Sequence, residues 1–334
     1  SACSVMEPIY EQIFLPCSYG FRPNKSATEC VAETANKVYR HRHVLEADIE
    51  GFFNNVAHKK LLGMVKKQVI DPRVLGLIQE ILKAGYFEMR KGWMPTNLGT
   101  PQGGPLSPLL ANIYLHYVLD ERFKSLNSKE CLLIRYADDF VILAQRKAEL
   151  LALRRSLYLW MREGGLKLKE SKTRLVNMTN RYRSYDSKFE FLGYKFHLRA
   201  YRDNPNRFWI ARQPSESSRI ELHKRLRESL PPKLTHKEAA LAAKLLWQGW
   251  SNYFRYGNSN RIFYREVRSV REAIRYYLHR KYRFGRRPVS WAKLNPMVGK
   301  LLRGIKPVRV IPDSLRQKQP RFEVFDMEAA VCLK

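Results

Sequence analysis

The sequence predicts an α+β module over residues 1–200 and a helical, strongly basic module after about residue 215. Three observations predict this. Up to about residue 200, short apolar segments with strand character alternate with amphipathic helical stretches. Beyond residue 215 only the helical period persists. Charge divides the same way: residues 1–200 hold 31 basic and 20 acidic residues, a net of +11, whereas residues 201–334 hold 30 and 11, a net of +19. The first half keeps its acids, and the second has the character of a binding surface.

Each element follows from local pattern. Residues 28–40 read as a helix with Thr28 as its cap and Val31, Ala35 and Val38 on one face. His43 to Ile49 alternates as a strand that ends in Gly51 and two Phe. His58–Lys67 and the stretch from Pro72 through Leu75, Ile78, Ile81 and Leu82 read as helices. Tyr86 to Met94 is hairpin-like and leads into a Gly/Pro-rich loop at Leu98–Pro108. Leu109–Phe123 reads as a helix. Leu132–Tyr136 and Phe140–Ala144 read as strands around a polar turn. Lys147–Glu163 carries Leu150, Leu153, Leu157 and Trp160 on one side and stops at Gly164-Gly165. Phe189–Leu198 reads as a strand pair. Residues 201–217 read as a Pro- and Ser-containing connector. Helices are expected over Ser218–Leu230, Lys237–Tyr256 and Ile262–Phe284, then a loop-rich basic tail broken by Pro288, Pro296, Pro307 and Pro312.

Composition excludes several classes. With 45% apolar and 12% aromatic residues, the chain has ample core and is not mainly disordered. No run of eighteen apolar residues predicts a membrane span, and no secretion signal is expected. The chain begins without Met and reads as a fragment. Its five cysteines, Cys3, Cys17, Cys30, Cys131 and Cys332, are scattered without a C-x-x-C pair, so a reducing compartment is expected and a zinc site is not. A formal charge of +30 points to a polyanion, with nucleic acid the first expectation.

The segment Ile134 to Ile142 places Asp138 and Asp139 on a turn between apolar strands. Alone, such a pair reads as a solvated turn. A third carboxylate, Asp48, stands at the end of another strand among apolar neighbours, where a solvated acid would be unusual. Strand-end and turn carboxylates brought together on adjacent strands make a divalent-cation site suited to in-line phosphoryl transfer.

The run Tyr136-Ala137-Asp138-Asp139 resembles the active-site motif of reverse transcriptases, in the form typical of group II intron reverse transcriptases and maturases. Further blocks resemble that family in order: Ser18 to Ser26, Asp48 to Phe53, Gly99 to Pro108, Gly165 to Leu168 with Ser171-Lys172-Thr173, and Phe191 to Tyr194. The resemblance implies a right-hand polymerase of fingers, palm and thumb. It implies Mg²⁺ held by Asp48, Asp138, Asp139 and the Ile49 carbonyl, with Phe53 as a steric gate against the ribose 2′-hydroxyl. An ordinary core role is the alternative for Phe53, with Phe52 the better core candidate. Gln102, Gly103 and Arg22 are expected at the nucleotide, and Tyr136, Lys172, Leu192, Gly193 and Tyr194 at primer or template. The family's first block would lie upstream of residue 1.

In the basic half, Leu245 to Phe254 resembles the maturase-specific, or X, domain, which corresponds to the thumb. Ala243, Leu246, Trp250 and Tyr253 share a helical face and read as core. From Ile262 on, Val267, Val270, Ile274 and Leu278 form an apolar stripe with Arg268, Arg271 and Arg275 one residue over. Lys281 and Arg283 continue the basic run, and all five are expected at RNA.

The expected organisation is therefore partial fingers and palm at 1–200, a connector at 201–217, a thumb or X domain at 218–284, and a basic nucleic-acid-binding region at 285–334. The expected function is RNA-directed DNA polymerase and maturase of a group II intron, acting in splicing and retrohoming. Expected partners are the intron RNA, an RNA template with DNA primer, deoxynucleoside triphosphates and target DNA, with no membrane. The place is bacterial cytoplasm near the nucleoid, or an organelle. A domesticated relative in host defence or repair, and an RNA-binding splicing cofactor with little polymerase activity, are the alternatives.

Overall fold

In the computed structural model, residues 2–84, 86–88, 92–94, 98–100, 104–128, 130–178, 187–200, 208–282, 291–303 and 305–311 are described. They fall into two units, Ser1–Leu192 and Gly193–Lys334.

The first unit runs α1 (Ala2–Glu11), α2 (Ala27–Val38), β1 (His43–Ala47), α3 (Phe52–Asn55), α4 (His58–Val65) and α5 (Pro72–Lys83). It continues through β2 (Tyr86–Glu88), β3 (Gly92–Met94), α6 (Ser107–Leu115), a π-helical turn (His116–Asp120), α7 (Glu121–Ser125), β4 (Cys131–Tyr136), β5 (Asp139–Ala144), α8 (Lys147–Glu163), β6 (Arg174–Asn177) and β7 (Lys188–Phe191). Helix α2 is capped by Ser26, not Thr28. Ser26 is extended, its hydroxyl accepts from the Glu29 amide, and Glu29 accepts from the Ser26 amide, so the reciprocal cap fixes the start two residues early. Strands β2 and β3 pair as the expected hairpin.

A four-stranded antiparallel sheet of order β4-β5-β1-β6 forms the centre. Its strands are rich in Val, Ile and Leu because both faces are covered. Leu45, Ala47, Phe140, Ile142 and Ala144 join one buried cluster with Leu110, Ile113 and Tyr114 of α6 and Leu150, Leu157 and Met161 of α8. Helix α2 packs against β4. The predicted single helix over 109–123 is instead interrupted by the π turn, which ends at the buried Asp120.

The second unit contains β8 (Tyr194–Ala200), β9 (Phe208–Pro214), α9 (Glu216–Glu228), α10 (His236–Phe254), α11 (Asn260–Lys281) and α12 (Trp291–Leu301). Two expectations are corrected here. Residues 208–214 of the supposed connector form β9, paired in full register with β8 from Tyr194↔Pro214 to Ala200↔Phe208. Pro214 sits at the strand's end, where its missing amide donor costs no interior ladder bond. The supposed loop-rich tail contains α12, which continues through Pro296 and packs on α10 and α11. Val298 and Leu302 are buried there, and the Trp247 indole donates to the Lys306 carbonyl at 3.1 Å.

The bundle core of α10 is rotated slightly from the predicted face. Ala243 and Trp250 are buried as expected, but Trp247 and Phe254 are buried in place of Leu246 and Tyr253, which are only half-buried. Trp247, Trp250, Phe254 and Phe263 form one aromatic cluster, with centroids 4.8–5.9 Å apart. Among the described residues no helix is long and apolar enough to cross a membrane.

Candidate active site

The register of the central sheet brings the predicted carboxylates to one end. β1 and β5 pair with Ala47 opposite Phe140, so continuing by one residue sets Asp48 opposite Asp139. β4 and β5 close with Tyr136 opposite Asp139, leaving Ala137 and Asp138 as a two-residue turn. Ala137 is left-handed, with φ of 54°. Because side chains alternate along a strand, Asp48 and Asp139 share the face of Val44 and Val141, while Asp138 stands at the turn itself. The charge of Asp139 reaches the buried Cys30 of α2. That thiol is pushed well above its ordinary value, by burial first and Asp139 next.

On its other edge, β1 continues to residues 167–169. The Glu50 amide donates to the Lys167 carbonyl and the Lys169 amide to the Asp48 carbonyl, both at 2.8 Å, around the isolated bridge Ile49↔Leu168. In such a pair the bridging residue's own amide and carbonyl turn away from its partner. The Ile49 carbonyl therefore turns toward the side where β5 begins, beside the Asp138 turn.

Among the described residues no three His, Cys, Asp or Glu side chains gather closely enough to hold a metal ion. The oxygens at this end of the sheet are the carboxylates of Asp48, Asp138 and Asp139 and the Ile49 carbonyl. This hard-oxygen set fits Mg²⁺, which keeps waters and substrate phosphates in its shell. The Asp48 carboxylate already has a cationic neighbour: the Lys172 ammonium lies 2.9 Å from Oδ2, with its side chain 60% exposed.

Phe52 and Phe53 separate as the sequence suggested. Phe52 is buried against Tyr114, while Phe53 packs half-buried beside it, centroids 5.3 Å apart. The segment after residue 97 returns to this point. Gly99 donates to the Val56 carbonyl at 2.8 Å and Thr100 to the Phe53 carbonyl at 2.7 Å. Gly99 has φ of 89°, and a Cβ there would stand 2.5 Å from the Phe53 carbonyl oxygen, so only glycine allows the approach. Gln102 and Gly103, expected at the nucleotide, lie outside the described residues.

Two expected contacts are corrected. Arg22 is not available to a nucleotide: its side chain is 8% exposed. Its guanidinium donates to Glu11 at 2.9–3.2 Å and to the Leu15 and Ser18 carbonyls at 2.8 and 2.9 Å. A fork this fully engaged braces the 11–22 turn. Tyr194 is not at the primer: it is 0% exposed, with its hydroxyl donating to the Tyr253 carbonyl at 2.5 Å, and burial raises its phenol pKa. Leu192 and Gly193 form a left-handed turn, with φ of 50° and 73°. Tyr136 is half-buried near Phe21, centroids 6.1 Å apart.

In the second unit, Val267, Val270, Ile274 and Leu278 are buried as predicted, and Arg268 and Arg271 are exposed. Arg275 is half-buried. Lys281 is tied down, its ammonium donating to the Pro232 and Leu234 carbonyls at 3.1 and 2.5 Å. It closes the loop between α9 and α10, and is corrected from an RNA contact to a loop clamp. Arg283 lies outside the described residues.

Sequence reasoning passed over two ionic networks built on buried charges. Glu266 of α11 is 0% exposed and accepts from Arg219 at 2.7 Å and pairs with His223 at 2.5 Å, joining α11 to α9. Arg135 of β4 is likewise 0% exposed and paired with Asp120. A signal was present for Arg135: an arginine inside an otherwise apolar strand, next to the carboxylate turn.

Comparison with known proteins agrees with this geometry. Residues 2–196 match the family model "Reverse transcriptase (RNA-dependent DNA polymerase)", and residues 221–294 match "Group II intron, maturase-specific domain". The chain is similar to the group II intron-encoded protein LtrA of Lactococcus lactis subsp. cremoris, 43% identical over 114 residues, covering 34% of this chain and 18% of that protein. It is similar to protein YkfC of Escherichia coli K12, 31% identical over 199 residues, covering 49% of this chain and 52% of YkfC. The chain thus spans at most about half the length of these relatives. Among solved structures, an apo telomerase from Candida tropicalis has the same fold, with a TM-score of 0.51 at 11% identity, covering 90% of this chain and 50% of that one. With a reverse transcriptase match over more than half its length and the carboxylates of that family's motif at one end of its central sheet, the chain belongs to the reverse transcriptase family and carries a group II intron maturase-specific domain after it.

Proposed function

We propose that this chain is the RNA-directed DNA polymerase of a group II intron, and that its second unit binds the intron RNA and promotes its splicing and retrohoming. The observation that carries the polymerase reading is the convergence of Asp48, the Asp138 turn and the Ile49 carbonyl at neighbouring strand ends. The maturase reading is supported by the maturase-specific match and by the intron-encoded relative.

In this reading Asp48, Asp138 and the Ile49 carbonyl hold Mg²⁺, with Asp139 as an accessory acid. Bound there, Mg²⁺ supplies activation of the primer 3′-oxygen and charge stabilisation at the transferring phosphoryl group. The chain's own groups do the rest. Phe53 stands beneath the sugar of the incoming deoxynucleotide and excludes a 2′-hydroxyl. Gln102 and Gly103 line the nucleotide path. Lys172, exposed beside Asp48, holds a phosphate of primer or template. Tyr136 and the Leu192-Gly193 turn support the primer end. Arg268, Arg271 and Arg275 hold RNA by its backbone, and Arg283 and the basic 285–334 region bind RNA or target DNA.

The test is Asp138→Ala. Extension of a DNA primer on an RNA template is expected to fall to background while RNA affinity stays within about twofold, because many phosphate contacts hold the RNA. Retained extension would overturn the assignment of Asp138.

A further inference from the structure

The turn that carries Asp138 is held from inside the protein by one side chain. Arg135, three residues before Asp138, is wholly buried and faces Asp120, the last residue of the π-helical turn. Its Nε donates to Asp120 Oδ1 at 2.8 Å and its Nη2 to Oδ2 at 2.5 Å. Its Nη1 donates to Asn112 Oδ1 at 3.0 Å and to the Ala137 carbonyl at 2.9 Å. Burial alone would lower this guanidinium's pKa; Asp120 first, and Asp138 further off, raise it. The group is a fixed cation.

The same network grips the turn from its other side. Asn112 passes the contact on, its Nδ2 donating to the Gly20 carbonyl at 2.7 Å. The Arg135 backbone is flanked by residues 17–19: its amide donates to the Cys17 carbonyl, and its carbonyl accepts from the Tyr19 amide, each at 2.8 Å. A Cβ on Gly20 would stand 2.3 Å from the Ala137 amide nitrogen, so the 17–20 segment lies directly on the turn. Ala137 meanwhile holds a φ of 54°, a region that a residue with a Cβ avoids unless its surroundings impose it.

We propose that Arg135, locked by Asp120 and Asn112, is the positioning residue that keeps Ala137 left-handed and so fixes the Asp138 carboxylate at the end of β1. The proposal rests on the reading of Asp138 as a metal-holding residue. Stability alone does not account for the arrangement. A buried ion pair can often be replaced by apolar side chains of similar volume without loss of stability. An apolar pair can fill the space, but it cannot donate to the Ala137 carbonyl.

That difference defines the experiment, on the full chain. Arg135→Met with Asp120→Leu removes both charges together and leaves no orphaned ion. Arg135→Lys keeps the charge on Asp120, but a single ammonium cannot bond Asp120 doubly and also reach Asn112 and Ala137. Both are expected to keep RNA affinity within about twofold and the KM for deoxynucleotide within about threefold, while kcat falls about tenfold or more, the loss of one charge-assisted hydrogen bond. The Mg²⁺ concentration for half-maximal rate is expected to rise several-fold. Mn²⁺ bound with primer–template and a non-hydrolysable deoxynucleotide, read by electron paramagnetic resonance, should weaken in parallel. Parent kcat and parent metal curves in either folded variant would overturn the proposal. So would equal losses of RNA affinity and rate, which mark a structural role only. If the double variant does not fold, Arg135→Lys decides alone. Asp138→Ala separates the two readings. An active Asp138→Ala sinks the site assignment itself, whereas a dead Asp138→Ala beside fully active Arg135 variants sinks only the positioning role.

Discussion

Phe52 and Phe53 are adjacent rings with different surroundings, and the difference suggests which one can act. Phe52, at the start of α3, is buried against Tyr114 of α6, so its removal opens a cavity and costs about 3–5 kcal/mol of stability. Phe53 is only half-buried, and its carbonyl is bonded by the Thr100 amide, so the backbone beneath the ring is fixed from outside the short helix. Phe53→Ala is expected to fold and to admit ribonucleotides, because a gate that works by exclusion fails when the ring is gone. Paired incorporation assays with ribo- and deoxynucleotides read this directly, and unchanged discrimination places the gate on another side chain.

Between elements, the contact with most at stake is Glu266. It sits on the buried side of α11 and takes Arg219 and His223 from α9. Burial pushes its carboxyl pKa up, and the bonds from His223 and Arg219 more than reverse this, so the folded value lies below the usual 4.5. A carboxyl lowered in the folded state stabilises above its unfolded value and loses that contribution as pH falls through the folded value. Glu266→Gln is therefore expected to cost about 3 kcal/mol near neutral pH, since it leaves two bases without their buried acid. The gap to the parent should narrow as pH falls through the folded value, below the usual 4.5. Thermal unfolding across that range tests it, and a gap independent of pH would show that Glu266 titrates normally. Helix α10 offers a smaller, cleaner measure. Thr235 and Glu238 form a reciprocal cap, so Thr235→Ala should cost about 1 kcal/mol in denaturant unfolding without altering primer extension.

For the chain as a whole, the dominant quantity is charge, +30 over 334 residues with most of the excess after residue 200. Exposed Arg268 and Arg271 and half-buried Arg275 stand on α11, whose adjacent stripe is sealed in the bundle. Replacing all three by Gln keeps the helix and removes three cations. If each meets a phosphate, the slope of log affinity for RNA against log salt should flatten by about two to three units. Deoxynucleotide selection should stay as it is, because Phe53 belongs to the first unit. An unchanged slope in a variant with parent circular dichroism would show that α11 presents a merely solvated face.

Much of this was determined locally and so was legible in the sequence. Strands β4 and β5 follow from short apolar runs around a polar turn, and helix α8 and the buried stripe of α11 from the 3.6 period, although α8 buries Met161 in place of the expected Trp160. The candidate carboxylates were legible for the same reason: Asp48 and the Asp138–Asp139 turn interrupt apolar strands at their ends. What only the tertiary structure decided lies in partners distant in the chain. Arg22 and Tyr194 sit within motif-like runs, yet one is consumed by Glu11 and two carbonyls and the other is buried against Tyr253. Residues 208–214 became a strand because β8 offered an edge, which no local pattern announces. The left-handed Ala137 and the buried Arg135 that holds its carbonyl depend on Asp120 and Asn112, 15 and 23 residues away. Periodicity reports which face of an element is buried; it carries no record of which distant group will satisfy a buried charge, and that pairing is what shapes the turn beneath Asp138.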